Sequence, residues 1–190
     1  MCHALLQDPQ FFRLLKRIDE ALAEDVCAGR CQHCGDVLHR ADYPRKPRDC
    51  PPEMRDEHDS RYSFCCQRCR KRHTAMSVRF LGRRLYFGLA VVLGSARHAG
   101  QNPAAARLAD ELQVPVRTLD RWRHWWRERL MRTALWQTQC ARFLPPVDPV
   151  GLPGELISRF GDDLLTALMH LLRFLTPLSI GVVFDIDETC

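Results

Sequence analysis

Long apolar runs are missing from these 190 residues. The longest, Leu85 to Ala96, is interrupted only by glycines and a serine. It reaches about half of the roughly 20 residues that a membrane-spanning helix needs, so no transmembrane segment is expected. Met1 to Gln7 lack a basic stretch followed by an apolar core, so no secretory leader is expected either. The sequence has no glycine-rich phosphate loop and no nucleophile elbow, and no strand-rich segment spaces three acids as a nuclease core requires. These absences point away from an enzyme. Lysine is scarce, with three residues against 25 arginines, and it is where the basic residues cluster that carries the argument.

Cysteine is plentiful by contrast, with ten residues. Four of them form two pairs at metal-ligand spacing, Cys31-Gln-His-Cys34 and Cys66-Gln-Arg-Cys69. Two intervening residues let both thiolates of one turn point at one ion, and two such turns complete the closed tetrahedral set of structural Zn2+. Four sulfurs leave no open position for catalysis. Cys65 adjoins Cys66 but has the wrong spacing to Cys69, which makes it the spare, and His33, His39, His58 and His73 are substitute ligands. The competing readings are buried free thiols or a disulfide framework, and the latter belongs mainly to small secreted chains. No strand-helix-strand pattern surrounds Cys31 and Cys34, so a thioredoxin-type role fits poorly. The unpaired Cys2, Cys27, Cys50, Cys140 and Cys190 suit a reducing, cytoplasmic setting. The 31 residues from Gly35 to Cys65 are polar and turn-forming and read as an inserted surface loop between the two knuckles.

The net charge of +5 conceals a polarised distribution. From Arg61 to Thr133 sixteen basic residues face four acids, a balance of +12, which leaves twelve basic against nineteen acidic residues, or −7, elsewhere. Such a field favours phosphate backbones through counterion release.

Along the chain, Asp8-Pro9 starts a helix carrying Phe11, Phe12, Leu14, Leu15, Ile18, Leu22 and Val26 at helical spacing. Residues 31–82 form the metal module, with short strands expected at Arg61 to Cys65 and Ser77 to Leu81. Metal supplies much of its stability, because so polar a segment buries little apolar surface. Three helices follow: Leu85 to His98, one capped by Asn102-Pro103 and ended at Val114-Pro115, and one from Val116 toward Trp136. On the third, Val116, Leu119, Trp122, Trp126 and Leu130 share one face, with Arg117, Arg121, His124 and Glu128 opposite. A helix, a short turn and an arginine-faced second helix make the geometry that enters a major groove, where Arg pairs with guanine. Arg117, Arg121 and His124 are the expected base readers, and Thr118, Arg123 and Arg127 the flanking phosphate contacts. Trp122, Trp126 and Trp136 are assigned to packing, whereas Trp125 lies toward the polar flank, placed to cover a partner. After a proline-rich linker (Pro145, Pro146, Pro149, Pro153), Asp162 or Asp163 caps a helix bearing Leu164, Leu165, Leu168, Leu171, Leu172 and Leu175, suited to core packing or to a homodimer contact.

Leu108-Ala-Asp-Glu-Leu-Gln-Val-Pro-Val-Arg-Thr-Leu-Asp-Arg-Trp122 resembles the helix-turn-helix of bacterial transposase and resolvase-type proteins. Cys31 to Cys69 is similar to the zinc ribbons that precede such helices in insertion-sequence proteins. Pro115 departs from the Ser or Thr common at that cap. The resemblance covers roughly residues 31–137 and implies sequence-directed binding of double-stranded DNA, at element ends or an operator, with catalysis from a separate transposase or recombinase chain. Val182 to Thr189 resembles the first motif of haloacid-dehalogenase-type phosphatases, but the sheet domain that must follow is missing, so it reads as coincidence or the stub of a truncated frame. The expected fold is mainly α with a small β zinc ribbon, a helix-turn-helix bundle plus metal module. Its parts are an N-terminal amphipathic helix (1–30), the zinc-ribbon module (31–82), the helix-turn-helix (83–140), and the linker with leucine-rich tail (141–190). The expected function is that of an accessory or regulatory DNA-binding factor of a mobile element. The alternative is a zinc-containing scaffold for RNA or protein.

Overall fold

The computed structural model describes residues 5–45, 47, 50–81, 88–97 and 103–180. The phosphatase-like motif at 182–189 and the Asn102 cap lie outside them. The described chain is mostly helical with small antiparallel sheets, and it divides into two units, residues up to 81 with 176–180, and residues 88–175.

The first unit begins with α1 (Pro9–Ala28). The Asp8 carboxylate caps it by accepting the Gln10 amide at 2.9 Å, and Pro9 fills the first turn, where no amide donor is needed. The helix buries Phe11, Phe12, Leu15, Asp19 and Ala23, while Leu14 remains exposed. The short strands β1 (Leu38–Arg40), β4 (Ser63–Cys66) and β5 (Arg72–Thr74) form one sheet in the order β1-β4-β5, with Leu38 opposite Cys66 and Phe64 opposite both Arg40 and His73. Strands β2 (Tyr43–Pro44) and β3 (Ser60–Arg61) pair separately. Ala23, Leu38, Tyr62, Phe64 and Ala75 pack with Cys31 and Cys66 in one cluster, so α1 and the sheet share a core with the cysteines.

Two expectations are corrected in this unit. Ser77 to Leu81 is not a strand beyond an isolated bridge at Phe80; these residues are buried, and the Ser77 hydroxyl, the Val78 amide and Arg79 Nε bond Asp19 of α1. The stretch between the knuckles is not a surface loop. It supplies β1, most of β4 and two 3-10 turns (Pro52–Met54 and Asp56–His58) that bury Met54 and His58 completely. Two buried side chains are enough to dock a turn even where the surrounding sequence is polar.

A buried polar network fastens α1 to this module. The Asp19 carboxylate, 1% exposed, accepts the Val78 amide at 2.7 Å, the Ser77 hydroxyl at 2.5 Å and Arg79 Nε at 2.7 Å. Arg79 donates on to the Ser60 carbonyl and to His58 Nδ1, each at 3.2 Å. Burial, reinforced by the Arg79 charge, lowers the His58 pKa to about 4, so the ring is neutral and accepts. Arg61 donates to the carbonyls of Ala75 and Ser179, tying residues 176–180 to the same unit.

The second unit is helical: α2 (Gly88–Arg97), α3 (Pro103–Glu111), α4 (Val116–His124), α5 (Ala134–Gln139), α6 (Gly154–Arg159) and α7 (Leu164–Leu175). Between α3 and α4, Gln113 takes a left-handed backbone, φ 52°, and the Val114 amide returns to the Ala109 carbonyl at 2.9 Å. Pro115 precedes α4 with no side-chain cap, and its carbonyl accepts the Thr118 amide at 2.8 Å. The helix expected to run toward Trp136 stops earlier. Its last turns widen into a π turn (Trp125–Arg129) and tighten into a 3-10 turn (Leu130–Arg132), and the extended Thr133 then caps α5 through its hydroxyl. Asp163 caps α7 by accepting the Thr166 amide at 2.8 Å, and Ala167, Leu168, Leu171, Leu172 and Leu175 are buried within the unit. Those tail leucines therefore serve intrachain packing.

Candidate functional site

The structure brings Cys31, Cys34, Cys66 and Cys69 together, with all four sulfurs within 4.8 Å of one another. Each pair sits on the same kind of turn. The Gly35 amide returns to the Cys31 carbonyl at 2.8 Å and the Cys31 amide to the Asp36 carbonyl at 2.9 Å; the Arg70 amide returns to Cys66 at 3.2 Å and the Cys66 amide to Lys71 at 2.9 Å. Residues 35 and 70 both adopt left-handed backbone, φ 72° and 59°. Pairing of β1 with β4 places one turn against the other, and the Gln67 amide crosses between them to the Val37 carbonyl at 3.1 Å.

The sulfurs meet across the turns, Cys31 with Cys69 at 3.5 Å and Cys34 with Cys66 at 3.4 Å. These are not disulfide distances, since an S–S bond is about 2.05 Å long, and the four thiols are free. Metal–sulfur bonds of about 2.3 Å in a tetrahedron put sulfurs about 3.8 Å apart, which this spacing fits. Burial opposes ionisation of Cys66, but the Cys69 amide and the Cys34 thiol outweigh it and hold its pKa down at about 6. Cys69 is pushed up to about 12, because burial and the thiols of Cys66, Cys31 and Cys34 outweigh the Lys71 amide that favours its thiolate. Four sulfurs so close all become thiolates only when a cation shares them. The donor set is soft and closed, and it suits a structural ion.

Of the candidate substitute ligands, only His73 reaches the cluster, with Nε2 3.3 Å from Cys31 Sγ. His33 faces the His73 ring and accepts from Lys71 Nζ at Nδ1, 3.3 Å away, His39 bonds the Gln67 side chain, and His58 is buried against Arg79. Cys65 does not join the cluster.

The α4 face divides as follows. Leu119, Trp122, Trp126 and Leu130 are buried and Val116 is half-buried, whereas Arg117, His124 and Glu128 are exposed. His124 and Glu128 approach each other at 3.3 Å. Arg121 is half-buried and donates to Thr118 Oγ1 at 3.1 Å. Arg123 is half-buried, and Arg127 donates to the Val150 carbonyl at 3.1 Å. Two flank assignments are corrected. Thr118 is 1% and Trp125 3% exposed, so neither is a surface contact. The two are seven residues apart and lie on one side of the stripe, which is wider than a narrow wheel suggests, and the π turn sets Trp125 edge-on to Trp126 with ring centres 4.9 Å apart.

Asp19, Ser77 and Arg79 escaped the sequence reading. A signal existed, because Asp19 falls between Leu15 and Ala23 on the buried stripe of α1, where a carboxylate needs a partner. No family model matches this sequence, and no curated protein or solved structure matches it either.

Proposed function

We propose that this is a zinc-stabilised, sequence-directed DNA-binding protein, in which the four-cysteine module is a zinc ribbon and α3–α4 a helix-turn-helix. The observation that carries the reading is the division of α4. Its Leu119 and Trp122 side is sealed in the core, while Arg117 and His124 stand exposed two turns apart and beyond a short turn from α3. A helix so anchored presents its first turns to a groove, and Arg117 is the foremost base reader, supported by Arg121 and His124. Arg123 serves as a phosphate contact, and Arg127 does so after releasing the Val150 carbonyl. Zinc is the ion because four thiolates in a closed tetrahedral set are its usual structural ligands. The resemblance to mobile-element proteins makes an accessory or regulatory role in transposition the biological setting, with cleavage by another chain.

Selection of random duplex DNA by the zinc-loaded protein tests this, run in parallel with an Arg117→Ala/Arg121→Ala variant. The expected result is an enriched motif that the variant loses. Absence of enrichment from a folded, zinc-loaded protein would overturn groove reading and move weight to a scaffold for RNA or protein.

A further inference from the structure

Three non-glycine residues among those described adopt left-handed backbone: Arg30 at φ 58°, Arg70 at φ 59° and Gln113 at φ 52°. Gln113 closes the turn between α3 and α4. The other two are arginines, and both border the cysteine cluster. Arg30 precedes Cys31, Arg70 follows Cys69, and the sulfurs of those two cysteines are 3.5 Å apart.

This backbone disfavours any residue with a Cβ, and glycine adopts it without strain. The first knuckle uses glycine: Gly35 occupies the position that Arg70 occupies in the second, with the same returning amide bonds. Arg70 therefore strains a turn that a glycine would close more cheaply. Neither arginine recovers that cost within the fold, because both side chains are exposed and have no partner among the described residues. Their backbones close turns, the Arg70 amide on the Cys66 carbonyl at 3.2 Å and the Arg30 amide on the Cys27 carbonyl at 3.4 Å, which glycine would do equally well; a basic side chain kept at such a position is a pointer to function.

Their neighbours share the same character. Arg68 and Lys71 are exposed, and the partner of the Lys71 ammonium among the described residues is His33, at 3.3 Å. The sequence has no acid from Arg61 to Ala109. Asp36, the acid beside the first knuckle, has Oδ1 engaged by the Val37 amide at 2.8 Å. The module's acids gather instead on its 3-10 turns, where Glu57 approaches Arg13 of α1 at 3.8 Å.

We infer that Arg30, Arg68, Arg70 and Lys71 form a phosphate-binding surface at the metal end of the module, and that it grips the backbone of duplex DNA independently of α4. Permanently charged, weakly hydrated guanidiniums suit phosphate oxygens, and such contacts read no sequence. The inference rests on the DNA-binding reading and assigns the non-specific part of the affinity to this surface.

The test is an Arg30→Gly/Arg70→Gly variant of the full chain. Glycine relieves the backbone, so zinc content should be retained and thermal stability unchanged or raised. Binding to a labelled random-sequence duplex should nevertheless weaken by about tenfold or more at moderate salt, and the slope of log affinity against log salt should shrink by about 2. Arg68→Gln/Lys71→Gln should shrink it by a similar amount. Any motif the wild type selects should be weakened uniformly and kept. Unchanged affinity and salt slope with zinc intact would overturn the inference, as would loss of binding to an acidic polypeptide such as polyglutamate with DNA binding unaffected. If the wild type enriches no motif but its random-duplex binding depends on these residues, groove reading by α4 fails and this surface stands. If it binds no duplex at all, both fail.

Discussion

The completely buried side chains of the first unit include Arg79 alongside Phe12, Leu15 and Met54, whereas those of the second include Trp126, Leu93, Leu119, Leu130 and Leu156. The helical unit closes an ordinary apolar core. The cysteine unit, with strands of two to four residues, buries apolar side chains too but threads a polar network and a sulfur cluster through them. It uses a carboxylate and a guanidinium satisfied by each other and by backbone, and four clustered sulfurs compatible with a metal site. Cooperative order can thus be reached by area in one unit and by a few obligatory polar contacts in the other, and the two should fail under different insults. All four tryptophans (Trp122, Trp125, Trp126 and Trp136) lie in the second unit, so their emission reports that unit alone.

On the proposed zinc reading, the largest separation should come from removing the metal. Structural zinc contributes on the order of 10 kcal/mol to folding a small domain. A strong chelator, or Cys66→Ser, should therefore abolish the sheet-containing unit while tryptophan emission keeps its buried, blue-shifted position. A red shift in step with zinc release would show that the second unit depends on the first. Of the next size are two substitutions with mirrored readouts. Trp126→Ala should cost about 3–5 kcal/mol in the second unit, seen in thermal unfolding, with one zinc still bound per chain. Asp19→Ala should cost about 3–5 kcal/mol in the first by stranding the buried Arg79 charge, with tryptophan emission unchanged until the second unit melts.

A pH titration sharpens the contrast further. The folded pKa of His58 is depressed from 6.5 to about 4, so between those values the unfolded chain binds the proton that the folded chain refuses. The first unit should lose stability progressively as pH falls from 6.5 toward 4, and be unaffected by this group above 6.5. His58→Phe should flatten that part of the profile; an unaltered slope would contradict the assignment. The smallest effect is expected at Gly35→Ala, about 1 kcal/mol from forcing a Cβ into left-handed backbone, since nothing lies within 4 Å of the added atom. It should appear as slightly easier zinc loss to a competing chelator.

The cysteine pairs and the helix boundaries at Asp8-Pro9 and Asp163 were legible because each depends on a few adjacent residues with one dominant geometry. The stretch between the knuckles was not, because Met54 and His58 acquire a place to pack only once α1 and Arg79 are present. Thr118 and Trp125 were misplaced because a uniform 3.6-residue wheel does not anticipate a π turn or the breadth of the buried stripe. Arg30 and Arg70 looked like ordinary basic residues, since only the backbone angles set them apart.

The claim on which the rest depends is that Cys31, Cys34, Cys66 and Cys69 hold one zinc ion. Zinc K-edge X-ray absorption on the purified chain, with metal analysis of the same sample, tests it directly. One zinc per chain with four sulfurs at about 2.3 Å is the predicted result. A metal-free folded protein, or a shell in which His73 nitrogen replaces a sulfur, would contradict it.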